Sequence, residues 1–309
     1  MDRRAFLRRA LALLVLGSAP RALAADAPSN FRMVYGDPKL RDRFFLFLQN
    51  VFHLYPEDRF HQLLIELTEQ LETDEEIYRA LLERLPELDS LLSGLSYGLP
   101  ALQRQKAEMA RQTLEFVSAG APIDGYLEIG STGRYLSELR GPLRISGPVY
   151  LLNDLAPSYS PSDVLERGQL LRTGSFLPLG NYDAFAGDRI PDESLDLVTN
   201  FIGFHHCPTP QLAGFVDSIR TVLRPGGRLL LRDHDVDGTD QEALVALAHD
   251  VFNAGFFLPW QTNHEQVRLF RSIEQWSRYL AGAGFVPSER RLAQEHDPTR
   301  NLLLEFIRA

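Results

Sequence analysis

Glu128-Ile129-Gly130-Ser131-Thr132-Gly133 ends an apolar run, Gly125-Tyr126-Leu127, and reads as a strand that breaks into a tight turn. An acidic residue followed by Gly-x-x-Gly lets the backbone pass close to a ligand before a helix begins. Glycine turns after strands are common, so the surroundings of this turn decide its meaning. Downstream, residues 149–152 form a second short apolar run that ends in Asn153-Asp154, with Asp154 24 positions after Gly130. Residues 195–199 and 228–232 are further strands, separated by helical patterns. Residues 284–286 and 301–307 read as a closing antiparallel pair. Short apolar runs alternating with helical periodicity indicate βαβ units and a mostly parallel sheet.

Upstream, the texture is helical from about residue 37 to 118. Leu63, Leu64, Leu67 and Leu71 recur at helical spacing, and Ile77, Leu81, Leu82 and Leu85 repeat it. Thr73 reads as an N-cap with Glu76 placed to complete a capping box. Pro86 and the 94–100 segment punctuate this region, and residues 102–117 form a further helix with Met109, Leu114 and Val117 on its apolar side. Residues 233–272 read as an insertion with one helix at 241–251 and a run of aromatic residues. The expected organisation is a targeting segment at 1–24, a helical region or lid at 25–118, and an α/β domain at 119–309.

The N-terminus carries Arg3, Arg4, Arg8 and Arg9, a short apolar stretch from 11 to 17, and Ala22-Leu23-Ala24 as a cleavage signal. Asp2-Arg3-Arg4-Ala5-Phe6-Leu7-Arg8 resembles a twin-arginine signal, which implies transient engagement of that export machinery and a periplasmic destination, or the cytoplasm if the signal is unused. A plain secretory signal or an uncleaved anchor is the alternative. Cleavage after Ala24 removes five Arg and one Asp, a net +4, and takes the charge from −9 to −13. That acidic balance argues against a nucleic-acid partner. No apolar run reaches the roughly eighteen residues of a membrane span, so no stable span is expected after cleavage. A single cysteine, Cys207, excludes an internal disulfide and reads as a small core residue.

Three more segments identify a resemblance. Ile190-Pro191-Asp192-Glu193-Ser194-Leu195-Asp196-Leu197-Val198 is similar to the lead into the fourth strand of class I methyltransferases. Phe204-His205-His206 with Leu223-Arg224-Pro225-Gly226-Gly227-Arg228-Leu229 resembles the same family's approach to its fifth strand. Ala283-Gly284-Phe285 resembles its lead into the closing hairpin, and order and spacing agree from 125 to 309. The resemblance implies a Rossmann-like, doubly wound α/β fold and S-adenosylmethionine as cofactor. It places Glu128, Gly130, Ser131 and Gly133 along the methionine and ribose, Asp154 on the ribose hydroxyls and Leu155 on adenine. Asp183 is the preferred adenine-contacting acid, with Asp188 the alternative, and Phe201 and Ile202 line the floor of the site.

Methyl transfer asks little of a protein beyond in-line positioning, with a base only where the nucleophile carries a proton. Candidate bases are His205 and His206 after the fourth strand, and Asp233 and His234 of Asp233-His234-Asp235 after the fifth, because ligands bind at the carboxyl ends of parallel strands. Together with His206 these residues match no standard zinc spacing, so no metal is expected. Phe252, Phe256, Phe257, Trp260 and Trp276 are candidates for an apolar acceptor pocket, with His264, Arg268 and Arg271 as polar handles. The methyl acceptor is unidentified, either a small molecule or a protein group. A non-catalytic, repurposed domain of the same fold stays open, because an exported chain leaves the cytoplasmic supply of the cofactor. A nicotinamide dehydrogenase fits poorly, since the full Gly-x-Gly-x-x-Gly is missing.

Overall fold

The computed structural model describes residues 29–88 and 99–309, apart from 161, 162, 165, 166, 169 and 172. The expected export segment at 1–24 and most of the 94–100 punctuation lie outside the described residues.

Seven strands form one sheet: β1 (Pro122–Ile129), β2 (Arg144–Asn153), β3 (Ser175–Pro178), β4 (Leu195–Asn200), β5 (Leu223–His234), β6 (Phe285–Ala293) and β7 (Asn301–Arg308). Their spatial order is β3-β2-β1-β4-β5-β7-β6. The first five pair in parallel, whereas β7 runs antiparallel to both β5 and β6. This is the Rossmann-like, doubly wound α/β sheet with a closing antiparallel hairpin that the sequence predicts. The winding reverses between β1 and β4, so the loops leaving those two strands diverge and open a crevice at their carboxyl ends.

The central strands are apolar on both faces because helices cover both. Tyr126, Leu197, Leu230 and Leu303 share one buried cluster with Met109 of α5 (Leu99–Phe116). Leu127, Val198, Leu229 and Leu304 share the opposite one with Phe215 of α7 (Thr209–Val222) and Trp276 of α10 (Ile273–Gly282). A short helix, α6 (Leu136–Leu139), follows the β1 turn. Pro225-Gly226-Gly227 lies within β5 rather than before it. Strand pairing jumps from Leu195–Leu223 to Leu197–Arg228, so the four residues 224–227 stand opposite Asp196 alone and bulge out, with Gly226 at φ +78°.

A second layer holds α1 (Asn30–Gly36), α2 (Pro38–Phe47), α3 (Glu57–Gln70) and α4 (Asp74–Leu88). The capping box forms as the sequence predicts: Thr73 Oγ1 accepts from Glu76 N at 3.2 Å, and Thr73 N donates to Glu76 Oε2 at 3.1 Å. Pro86 lies inside α4 (Asp74–Leu88) and does not end it. Helix α8 (Thr239–Gly255), from the insertion, shares one apolar cluster with these helices through Leu244, Leu247 and Val251. A five-residue helix, α9 (Trp260–His264), follows it.

Candidate functional site

At the turn after β1, both glycines take positive φ, +84° for Gly130 and +95° for Gly133, as the Gly-x-x-Gly reading requires. The Glu128 carboxylate is fully buried and accepts from four donors. Oε2 takes Tyr126 Oη at 3.1 Å and Leu136 N at 2.8 Å, while Oε1 takes Tyr135 N at 3.1 Å and the Ser131 hydroxyl. Ser131 Oγ in turn accepts from Gly133 N and Arg134 N. Glu128 and Ser131 thus anchor the turn and the start of α6, and the acceptor capacity of Glu128 is filled from within the protein. The side chain of Ile202 stands directly above Gly130, where a Cβ would come within 2.5 Å of it. In contrast, Thr132 Oγ1 is buried without a partner.

Beside this turn, β2 ends in a second group of unmet polar atoms. Asn153 Nδ2 donates to Leu155 O at 3.0 Å, but its buried Oδ1 has no partner. Asp154 is half-buried, and burial pushes its carboxyl up to about 6, with no described donor to offset the cost. Leu155 is 48 % exposed. Asp183 and Asp188 are both exposed, and their surroundings do not distinguish them as an adenine contact.

A cavity of about 730 Å³ lies between the helical layer and the carboxyl ends of β4 and β5. Phe47 and Phe252 line its helical side, while Phe201, Ile202, His205 and His234 line its sheet side. Glu128, Gly130, Ser131, Gly133, Asp154, Leu155 and Asp183 lie outside its wall. The site therefore has two parts: the side of the crevice formed by the carboxyl ends of β1 and β2 (the β1–β2 crevice), and the cavity, meeting at Phe201 and Ile202.

Four imidazoles gather on the cavity wall: His205, His206, His234 and His249. Gly203, at φ +82°, bends the chain after β4 so that His205 turns back onto Asp233. A Cβ there would sit 2.5 Å from His205 Nδ1 and 2.9 Å from Asp233 Oδ2. His205 Nδ1 meets Asp233 Oδ1 at 2.7 Å, and Asp233 also accepts from the backbone N–H groups of Phe204 and His234. His206 Nδ1 donates to Val267 O and His234 Nδ1 to Thr299 O, both at 3.1 Å. Burial lowers the pKa of all four imidazoles and holds them neutral, and it pushes the Asp233 carboxyl up to about 6.

His249, on α8, is the functional candidate that sequence reading missed. It stands alone in a mostly buried helix, and only the packing of α8 onto the helical layer brings it beside the loop after β4. Among the proposed aromatic residues, only Phe252 lines the cavity. Trp276 is instead in the sheet core against Phe204, and Trp260 packs on Tyr78 and His264. Arg268 pairs with Asp250 at 2.8 Å, Arg271 lies over the Trp276 ring, and Asp235 pairs with Arg300. Burial pushes the Cys207 thiol up to about 12, which leaves it no nucleophilic character near neutral pH.

No curated protein matches the chain. Among solved structures, it is similar to a 1,6-didemethyltoxoflavin-N1-methyltransferase of Burkholderia thailandensis, with bound 1,6-didemethyltoxoflavin and S-adenosylhomocysteine. That similarity has 15% identity, covers 77% of this chain and 92% of the other, and has a TM-score of 0.43. The N-methyltransferase NodS of Bradyrhizobium japonicum has 13% identity over 67% of this chain and 95% of its own, at a TM-score of 0.38. A possible exported protein of Bordetella parapertussis has 17% identity over 93% of this chain and 97% of its own, at 0.43. Residues 172–231, from the approach to β3 to Leu231 in β5, match the methyltransferase domain family.

Proposed function

We propose that this chain is an S-adenosylmethionine-dependent methyltransferase. The cofactor would lie in the β1–β2 crevice, and the acceptor, a small molecule or a group on a protein, in the adjoining cavity. The observation that carries this reading is the methyltransferase-domain match at 172–231, which contains β4 and its carboxyl-end loop, the segment shared by crevice and cavity. The crevice residues fit a nucleoside: Asn153 Oδ1 and Thr132 Oγ1 are buried without partners, and the Asp154 carboxylate is free to accept from a ribose diol. Glu128 and Ser131 would shape the turn instead of touching the ligand.

When bound, S-adenosylmethionine supplies an activated methyl group on a sulfonium. The chain's own part is to orient and to exclude water. Phe201 and Ile202 separate the two compartments, and a volume of about 730 Å³ suits an acceptor of ordinary small-molecule size. Any acceptor proton would leave at the imidazole wall of His205, His206 and His234, with Asp233 fixing the tautomer of His205.

Calorimetry with S-adenosylmethionine and S-adenosylhomocysteine tests the proposal. Saturable binding of both at one site is expected, and no binding by folded protein would sink it. The N-terminal segment adds twin-arginine export to the proposal. A chain beginning at Ala25 in the periplasmic fraction is the expected product, and an intact N-terminus confined to the cytoplasm refutes export.

A further inference from the structure

We propose that His205, His206 and His249 form a binding site for a nitrogen-preferring divalent cation of the zinc or cobalt class, with a coordination position open to the cavity. One nitrogen of each residue lies within 4.8 Å of the other two. They come from two places, His205 and His206 from the loop after β4 and His249 from α8, so the meeting of the two is a product of the fold.

The hydrogen bonds around the rings decide which nitrogen is offered. The Val267 carbonyl can only accept, so His206 carries its proton on Nδ1 and leaves a bare lone pair on Nε2. His205 is held the same way by the Asp233 carboxylate, and its Nε2 is buried with no partner. The Nε2 of His249 is likewise buried and unpartnered. The two fixed lone pairs, on His205 and His206, cannot satisfy each other, and no hydrogen bond joins either to His249 Nε2. A cation at their centre meets all of them at once. An Nδ1–H donated to a carboxylate or carbonyl while Nε2 faces inward is also the outer-shell arrangement that orients metal-ligating histidines.

Charge and geometry are compatible with this. The nearby cation Arg268 is neutralised by Asp250, and Asp233 stands behind His205. Tetrahedral binding at about 2.0–2.1 Å needs nitrogens roughly 3.4 Å apart, so from separations within 4.8 Å the rings must close by up to about 1.4 Å. His249 is free to do so, because its Nε2 has no hydrogen bond to give up. His234 flanks the group, its ring centroid 5.3 Å from that of His205. Three protein ligands with a remaining position facing a cavity is the pattern of a working site, not a closed structural one. On the methyltransferase reading, a coordinated acceptor hydroxyl would have its pKa lowered there, and its proton would leave to His234, the imidazole of the wall that is not a ligand.

The test uses the full chain, dialysed against chelator and titrated with Co²⁺ without any nucleoside. Wild-type protein should take up one equivalent and develop the intense visible absorption of low-symmetry nitrogen coordination. His249→Ala should weaken binding at least tenfold and abolish the band, with its circular dichroism and melting temperature near wild type. His53→Ala, on another part of the cavity wall, should leave the titration unchanged. If wild type gives no band, or if His249→Ala folds and titrates like wild type, the site is refuted. Should His249→Ala fail to fold, His206→Ala takes its place with the same criteria. Because no nucleoside is present, this result is independent of whether the chain binds S-adenosylmethionine.

Discussion

On the proposed reading, Asp154 is costly to the free protein and useful to the bound one. Its carboxyl is pushed up to about 6, above the ordinary carboxylate value of about 3.9, because burial disfavours the charge. The folded state therefore binds the extra proton between those values, and stability falls as pH rises through that window. Asp154→Asn should flatten this slope by its share, leaving that of Asp233, and raise the melting temperature of the ligand-free protein at pH 7. A melting-temperature series from pH 4 to 8 checks it, and an unchanged slope would refute the assignment. Asp154→Ala should weaken S-adenosylhomocysteine binding more than tenfold by calorimetry, because a pair of ribose hydrogen bonds is lost. In the wild type, that affinity should fall below about pH 6 as the acceptor is protonated. Gly203 is equally exacting. Gly203→Ala adds a methyl group 2.5 Å from His205 Nδ1 at a positive φ, so it should cost about 1–3 kcal/mol in urea denaturation.

Among the elements, the β1 turn and α6 depend on Glu128 more than their sequence suggests. A four-residue helix has too few internal bonds to persist alone, and the Glu128 carboxylate caps it from the strand it follows. Glu128→Ala would strand the N–H groups of Tyr135 and Leu136 in a buried site, and a loss of about 3 kcal/mol is expected. Chemical denaturation reads this directly. The acidic residue before Gly-x-x-Gly was legible in the sequence, but its acceptors' fate was not. Spacing along a strand says which residue ends it, and only the return of the chain through Tyr135 and Leu136 shows which donors reach the carboxylate. The Pro-Gly-Gly bulge in β5 is a similar case, since strand pairing on both sides of it is invisible to a local pattern.

The whole molecule is a sheet and a helical layer joined through α8. That helix shares its apolar cluster with α1 to α4 while presenting His249 to the cavity on the sheet side. Leu247 is fully buried at this junction. Leu247→Ala should cost about 2–5 kcal/mol, and the helical layer should melt together with the loosened cavity wall. Thermal unfolding followed by near-ultraviolet circular dichroism checks this, and a wild-type melting curve would refute it.

The sequence by itself determined the strand succession, the turn conformations at Gly130 and Gly133, the capped start of α4 and the closing hairpin. Each of these is written in periodicity or in a backbone requirement that acts over a few residues. The tertiary structure alone decided that Glu128 faces inward, that Trp276 belongs to the sheet core, and that His249 meets His205 and His206. Such contacts join elements far apart along the chain, and they are fixed by which apolar faces pack together, which no local spacing records.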